Sequence, residues 1–182
     1  MDQIHRAAQV IRKGGVIAYP TESCYGLGCD PDNIAAIKRI LKIKKRSRDK
    51  GLILISDRIG RLLRYLEPLQ IDRQIMILES WPGPVTWLWP ARSGTSRWLK
   101  GEHDTLGVRV TAHPVAAKIC RASGMPLVST SANLAMRPPL RHSRIVNKVF
   151  SDKLDYVVEA AIGQQLQPSR IIHALTGEVI RP

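Results

Sequence analysis

The stretch that most restricts the fold is GLILIS, Gly51 to Ser56. It is a continuous apolar run of the kind shown by strands covered on both faces. Such a strand needs layers above and below it, and the sequence around it alternates short strands with amphipathic helices. Residues 3–13 read as a helix with Ile4, Ala7, Ala8 and Ile11 on one face. Val16 to Tyr19 reads as a short buried strand. Pro31-Asp32 opens a second helix, with Asp32 or Asn33 as its cap. Ile34, Ile37 and Leu41 give that helix an apolar face, and Lys38, Lys42 and Lys45 fall on another. Helices are expected over 58–66 and 70–80, and a strand at VTWLW after the WPGP turn. In TLGVRVT, Leu106, Val108 and Val110 face one way, and Thr105, Arg109 and Thr111 the other. His113-Pro114 opens a helix that Gly124 closes. PLVST is a further strand. A helix at 143–150, a strand at 155–160 and a hairpin around Thr176-Gly177 complete the set. The alternation predicts an α/β fold with a twisted, mixed sheet. No linker is visible, so residues 1–182 are expected to form one domain.

Charge narrows the partners. The chain carries a formal net charge of +13. From Lys38 to Lys50, eight of thirteen residues are Lys or Arg, and Asp49 is the only acid. Such an excess suits a nucleic acid, a nucleotide or an acidic surface, or else is a solvated basic face. No apolar run approaches the roughly 18 residues of a membrane helix. The N-terminus reads as an amphipathic helix rather than a secretion signal. Three cysteines, an odd number, point to free thiols and a reducing cytoplasm. Cys24 and Cys29 have four residues between them and no second ligand pair, so small buried thiols are expected rather than a metal site.

Hydroxyls mark a pocket. STSAN, Ser129 to Asn133, leaves the end of a buried-looking strand, where α/β sheets often bind ligands. Ser129, Thr130, Ser131 and Asn133 can donate to phosphate or carboxylate oxygens, although Ser and Asn also favour plain turns. Arg109 sits mid-strand among apolar residues, which is costly unless it is ion-paired or faces a ligand. There is no P-loop, no G-x-G-x-x-G and no G-x-S-x-G. Residue by residue, the sequence describes a basic α/β protein whose pocket handles an anion.

Six segments together go further. YPTESCYGLGCD, KKRSRDKGLILI, WPGPVTW, DTLGVRVTAHP, LVSTSANLA and PSRI resemble the YrdC/TsaC family in order and spacing. The most specific are Lys44-x-Arg46 followed by Lys50-Gly51, and Ser131-x-Asn133. The resemblance covers nearly the whole chain and is to the short, single-domain bacterial form. It implies a twisted open α/β sheet around a large, concave, basic cavity. Family members are threonylcarbamoyl-AMP synthases, nucleotidyltransferases that make threonylcarbamoyl-AMP and pyrophosphate from L-threonine, bicarbonate and ATP. The product serves threonylcarbamoylation of the adenosine beside the anticodon of tRNA, through transfer proteins of the TsaD/TsaB/TsaE type.

Carried onto this sequence, the resemblance implies that Arg46, Lys50, Thr105, Ser131 and Asn133 contact ATP. Arg46, Lys50 and Lys44 would be the catalytic cations. Thr21, Ser23, Arg109, Ser129 and Ser169 would surround the threonine. ATP is then a substrate accompanied by Mg²⁺ on its phosphates, with no structural metal, no membrane and weak or indirect contact with tRNA. A non-enzymatic RNA-binding protein is the main alternative, and a regulatory or carbamoyl-handling module the second. The hydroxyl set favours the enzyme, because RNA binding calls for cations with interleaved aromatics and 38–50 has no aromatic.

Overall fold

The computed structural model describes residues 2–134 and 137–182. Its helices are α1 (Gln3–Arg12), α2 (Ile34–Lys44), α3 (Ile71–Glu79), α4 (Arg97–Lys100), α5 (Pro114–Ser123) and α6 (Ser143–Phe150). Its strands are β1 (Ile17–Pro20), β2 (Tyr25–Gly28), β3 (Ile53–Ser56), β4 (Val85–Pro90), β5 (Thr105–Val110), β6 (Leu127–Ser131), β7 (Tyr156–Val157), β8 (Arg170–His173) and β9 (Val179–Arg181). Among the described residues the strands run in the order β7-β1-β2-β6-β3-β5-β4-β8-β9. The β1–β7, β3–β5 and β4–β8 pairs are parallel and the others antiparallel. The sheet is therefore mixed. Among the described residues, no helix is long and apolar enough to cross a membrane.

Local chemistry explains the helix ends. Asp2 caps α1 by accepting from the His5 N–H, and Asn33 caps α2 by accepting from the Ala36 N–H. Pro114 begins α5, and Gly124 ends it in the left-handed region at φ 81°. On α2 the buried face is Ala36, Ile37, Ile40, Leu41 and Lys44, while Ile34 is exposed. Lys44 extends that face by one turn beyond Ile40, which carries its ammonium inward. Lys38, Lys42 and Lys45 stay exposed.

Two expected elements differ. The helix expected over 58–66 is two single 3-10 turns, Ile59–Arg61 and Leu63–Tyr65. Its second half is drawn to the end of β4 and the loop that follows it instead. The Tyr65 carbonyl accepts from Arg92 N and Thr95 Oγ1, and Leu66 bridges to Ala91. The strand expected over 155–160 is only β7. Beyond it, the Tyr25 hydroxyl reaches the carbonyls of Val158 and Ala160, which a longer strand would have paired.

Candidate active site

A cavity of about 770 Å³ opens over the middle of the sheet. β5 sets its floor by alternation. Thr105, Gly107 and Arg109 line the cavity, while Leu106, Val108 and Val110 join the core. Thr105 and Arg109 are four residues apart, about 13 Å along a strand. β3 runs beside β5 with Ile53 level with Gly107 and Ile55 level with Arg109, so Gly51 lies at the Thr105 end.

At the Thr105 end the lining is basic. Arg46 Nη2 donates to the Gly51 carbonyl at 3.0 Å and to the Lys50 carbonyl at 3.3 Å, while its Nε is buried without a partner. Lys50 lines the rim and is exposed. Lys100 and His103 also line this space, and neither was anticipated from sequence. Lys100 ends α4, a single turn too short to leave a periodic signature, and His103 lies in the turn between α4 and β5. Gly101 (φ 68°) follows α4, and a Cβ there would strike the Asp49 carbonyl. That glycine lets α4 close against the basic turn at 48–50.

The Ser131–Asn133 loop is held from behind. Ser131 Oγ donates to Asn133 Oδ1 at 2.8 Å, and Asn133 Nδ2 donates to the Arg137 carbonyl at 2.7 Å. Lys44 Nζ donates to the Ser131 carbonyl, to the Asn133 carbonyl at 3.2 Å and to Asn133 Oδ1 at 2.7 Å. Burial and the neighbouring Arg46 charge push the Lys44 ammonium down to about 8. Of the eleven residues to which the resemblance gives a role, Thr21, Ser23, Arg46, Lys50, Thr105, Arg109, Ser129, Ser131 and Ser169 line the cavity, as does Thr130. Lys44 and Asn133 do not line it, because their polar groups are taken up within the loop.

At the other end stands Arg109. Its Nη2 is 3.4 Å from Glu22 Oε2, and both side chains are nearly buried. Glu22 Oε1 accepts from Thr111 Oγ1 at 2.7 Å and from the Ala112 N–H at 3.0 Å. Burial alone would raise the Glu22 carboxyl. The Arg109 charge and the Thr111 and Ala112 donors overcome it and hold the group below its ordinary range. Sequence reasoning missed Glu22, since an acid inside a turn carries no signal of burial.

The hydroxyls have local anchors. Thr21 closes a turn by donating both N–H and Oγ1 to the Cys24 carbonyl, which presents Thr21 and Ser23 to the cavity. Ser169 Oγ lies 3.0 Å from Thr86 Oγ1. Arg181, also missed from sequence, donates to the Ser169 carbonyl through Nε at 3.0 Å and Nη2 at 2.7 Å, and lines the cavity. The two glycines of β2 differ: Gly26 lines the cavity, while a Cβ on Gly28 would come within 2.6 Å of the Tyr19 ring and the Val128 carbonyl.

Among the described residues the cavity is lined by Arg46, Lys50, Lys100, Arg109, Arg141 and Arg181, and by no Asp or Glu. Such a lining is electrostatically suited to anions. It does not fit a protein-held divalent cation, which calls for carboxylate or carbonyl oxygens. Among the described residues no three His, Cys, Asp or Glu side chains gather. Cys24, Cys29 and Cys120 are free thiols, all pushed upward by burial.

The Sua5/YciO/YrdC family model, described as telomere recombination, matches residues 9–182. A threonylcarbamoyl-AMP synthase of Nitrosococcus oceani is 50% identical over 179 residues, 98% of this chain and 97% of that one. One from Coxiella burnetii is 43% identical over 178 residues, 98% of this chain and 96% of that one. The crystal structure of P. abyssi Sua5 complexed with L-threonine superposes with a TM-score of 0.87 at 30% identity, covering 93% of this chain. This chain spans 50% of that longer protein. With the matched family model spanning nearly all of the sequence, the chain belongs to the Sua5/YciO/YrdC family.

Proposed function

We propose that the chain is a threonylcarbamoyl-AMP synthase, acting as one domain over residues 1–182. The observation that carries this reading is the division of the cavity. Cations without a lining acid stand at the Thr105 end, and about 13 Å away along β5 is an arginine with unspent donors. The names of the relatives and the L-threonine of P. abyssi Sua5 support it.

In this reading Arg46, Lys50, Thr105 and Ser131 hold ATP. Asn133 and Lys44 serve the same end by fixing the Ser131 loop. Arg109 takes the threonine carboxylate, with Thr21, Ser23, Ser129 and Ser169 around the rest of the molecule. The threonine amine and bicarbonate form a carbamate with loss of water. A carbamate oxygen attacks the α-phosphorus of ATP, the bond to the β-phosphate oxygen breaks, and pyrophosphate leaves. The nucleophile is already an anion, so the protein's work is to bring two anions together and neutralise developing charge. Arg46 offers a planar fork to phosphate oxygens and Lys50 a mobile charge. Mg²⁺ comes on the nucleotide phosphates. The product passes to tRNA through transfer proteins of the TsaD/TsaB/TsaE type, in the cytoplasm.

The test is pyrophosphate release from ATP with L-threonine, bicarbonate and Mg²⁺, omitting each in turn. Release that needs both threonine and bicarbonate is expected. Equal release without threonine reduces the protein to an ATP hydrolase.

Direct RNA contact has one observation in its favour. Trp98 of α4 brings an aromatic to the basic segment, with Lys38 Nζ 4.7 Å and the Arg48 guanidinium 5.5 Å from its ring centre. That supports weak binding of tRNA beside the cavity mouth as an accessory property.

A further inference from the structure

We propose that Glu22 is the positioning residue of the amino-acid end of the cavity. Its buried carboxylate holds the Arg109 guanidinium by charge and leaves the guanidinium's hydrogen-bond donors free for an α-amino-acid carboxylate. The inference rests on the reading of the cavity given above.

A guanidinium has five N–H donors. Among the described residues, none of those on Arg109 makes a hydrogen bond, and its Nε is buried without a partner. The approach of Nη2 to Glu22 Oε2, at 3.4 Å, is longer than the roughly 2.7–2.9 Å of a charge-assisted hydrogen bond. Glu22 Oε2 is likewise buried with no hydrogen-bond partner. A purely structural pair would be expected to close into a fork, because a buried charge with unmet donors is costly. Here the attraction is kept and the directional bonds are left open. A carboxylate entering from the cavity side meets a ready fork.

Glu22 is itself fixed. Oε1 is held by Thr111 and Ala112. Thr111 Oγ1 accepts in turn from the His113 N–H at 3.1 Å. The Glu22 carbonyl accepts from the Gln165 N–H at 3.1 Å. Gly163 lies so close that a Cβ there would collide with the Glu22 backbone. The carboxylate is thus a rigid anchor rather than a mobile counter-ion.

The same charge sorts the substrates. Arg181 also lines this cavity, and its charged form is disfavoured by burial first and then by the nearby Arg109 charge. Without an acid, two arginines would make this end as attractive to polyphosphate as the Arg46 end. Glu22 offsets one of them. A monoanionic carboxylate is then favoured beside Arg109, and the triphosphate is directed elsewhere.

The test uses the full chain and the substitution Glu22→Gln, which keeps shape and the acceptor for Thr111 and Ala112 but removes the charge. L-threonine affinity is measured by calorimetry, the threonine and ATP dependence of pyrophosphate release by kinetics, and stability by melting temperature. The threonine Kd and KM should rise roughly ten- to hundredfold, the cost of misplacing a charged hydrogen-bond partner. The ATP requirement should change little. In an Arg109→Lys background, which has already lost the fork, Glu22→Gln should add little further loss. If Glu22→Gln does not fold, Glu22→Asp carries the test: the charge is kept with shorter reach, and a raised threonine KM with near-normal kcat is expected. A variant that melts lower yet keeps the parental threonine KM overturns the inference and leaves a structural ion pair. A parental protein that neither binds threonine nor needs it for pyrophosphate release brings down the synthase reading and the inference together.

Discussion

Lys44 Nζ sits 2.7 Å from Asn133 Oδ1 while also donating to the backbone carbonyls of Ser131 and Asn133. One buried ammonium therefore sets the shape of the loop that presents Ser131 to the cavity. Lys44→Met keeps the length and apolar stem and removes the donors. The expected result is a raised ATP KM with the threonine KM nearly unchanged. An unaltered ATP KM in the folded variant counts against a role for Lys44 in shaping that loop.

The same lysine makes activity and stability run in opposite directions with pH. Burial first, and then Arg46, push it down from 10.5 to about 8, with Cys24 opposing. The unfolded chain holds this proton more tightly than the folded one. Stability should therefore rise as pH climbs from about 8 towards 10.5, and this gain is absent below 8. The neutral amine has only two protons for three acceptors, so the loop loosens over the same window. Pyrophosphate release should fall above about pH 8 as the melting temperature rises. Lys44→Met should lack both trends, which a pH series on the two proteins reads directly.

Arg46→Ala should cripple turnover far more than it weakens tRNA. Many basic residues share a polyanion, and each lost phosphate contact removes about one unit of salt slope. A preorganised donor aimed at developing charge is worth on the order of 10²–10³ in rate. Filter binding across a salt series, beside the pyrophosphate assay, separates the two. Lost RNA binding with intact adenylate formation would favour the RNA-binding reading.

The glycines of β2 should respond unequally to alanine. Gly28→Ala forces a methyl against the Tyr19 ring and the Val128 carbonyl, and overpacking of this kind costs about 1–3 kcal/mol. Around Gly26 the nearest atoms stand at 3.4 Å, so alanine fits there but intrudes on the cavity. Gly28→Ala should lower the melting temperature with substrate constants preserved. Gly26→Ala should melt near the parent and shift those constants.

Cys24 and Cys29 should also part company. Cys29 is fully buried in the main core with Val16, Ile37 and Val128, whereas Cys24 lines the cavity. Cys29→Ser buries a hydroxyl, at a cost of about 1–3 kcal/mol. Cys24→Ser should leave activity within a few-fold. Elemental analysis should find no zinc in either variant or in the parent, and stoichiometric zinc lost on substitution defeats this expectation.

What the sequence made legible follows physical rules with short reach. Alternation along TLGVRVT places Arg109 opposite Leu106, Val108 and Val110, and that division holds in β5. Pro114 and Gly124 bracket α5 by local backbone preference. What escaped depends on contacts between distant segments. Nothing near Glu22 announces that Thr111 and Ala112 will bury its carboxylate. The turns at 59–65 have helical spacing, yet Arg92 and Thr95 claim their carbonyl. The motif marks Lys44 as a cation of the site, but only the phase of α2, which sets it apart from Lys42 and Lys45, turns its ammonium to the Ser131 loop rather than to the cavity. Trp98 lies far along the chain from the cations that flank it.

The strand order bears on how the cavity comes into being. β1 pairs with β7 and β2 with β6, each across more than half the chain's length or near it, and the wall runs from Thr21 to Arg181. Chains dominated by such distant pairings fold slowly, because long loops must close before the contacts reward them. No early, local piece of this protein contains a usable pocket. On refolding from denaturant, recovery of ligand binding should trail the return of helical signal and coincide with the final rise in tryptophan burial, so that the pocket is among the last things the chain acquires.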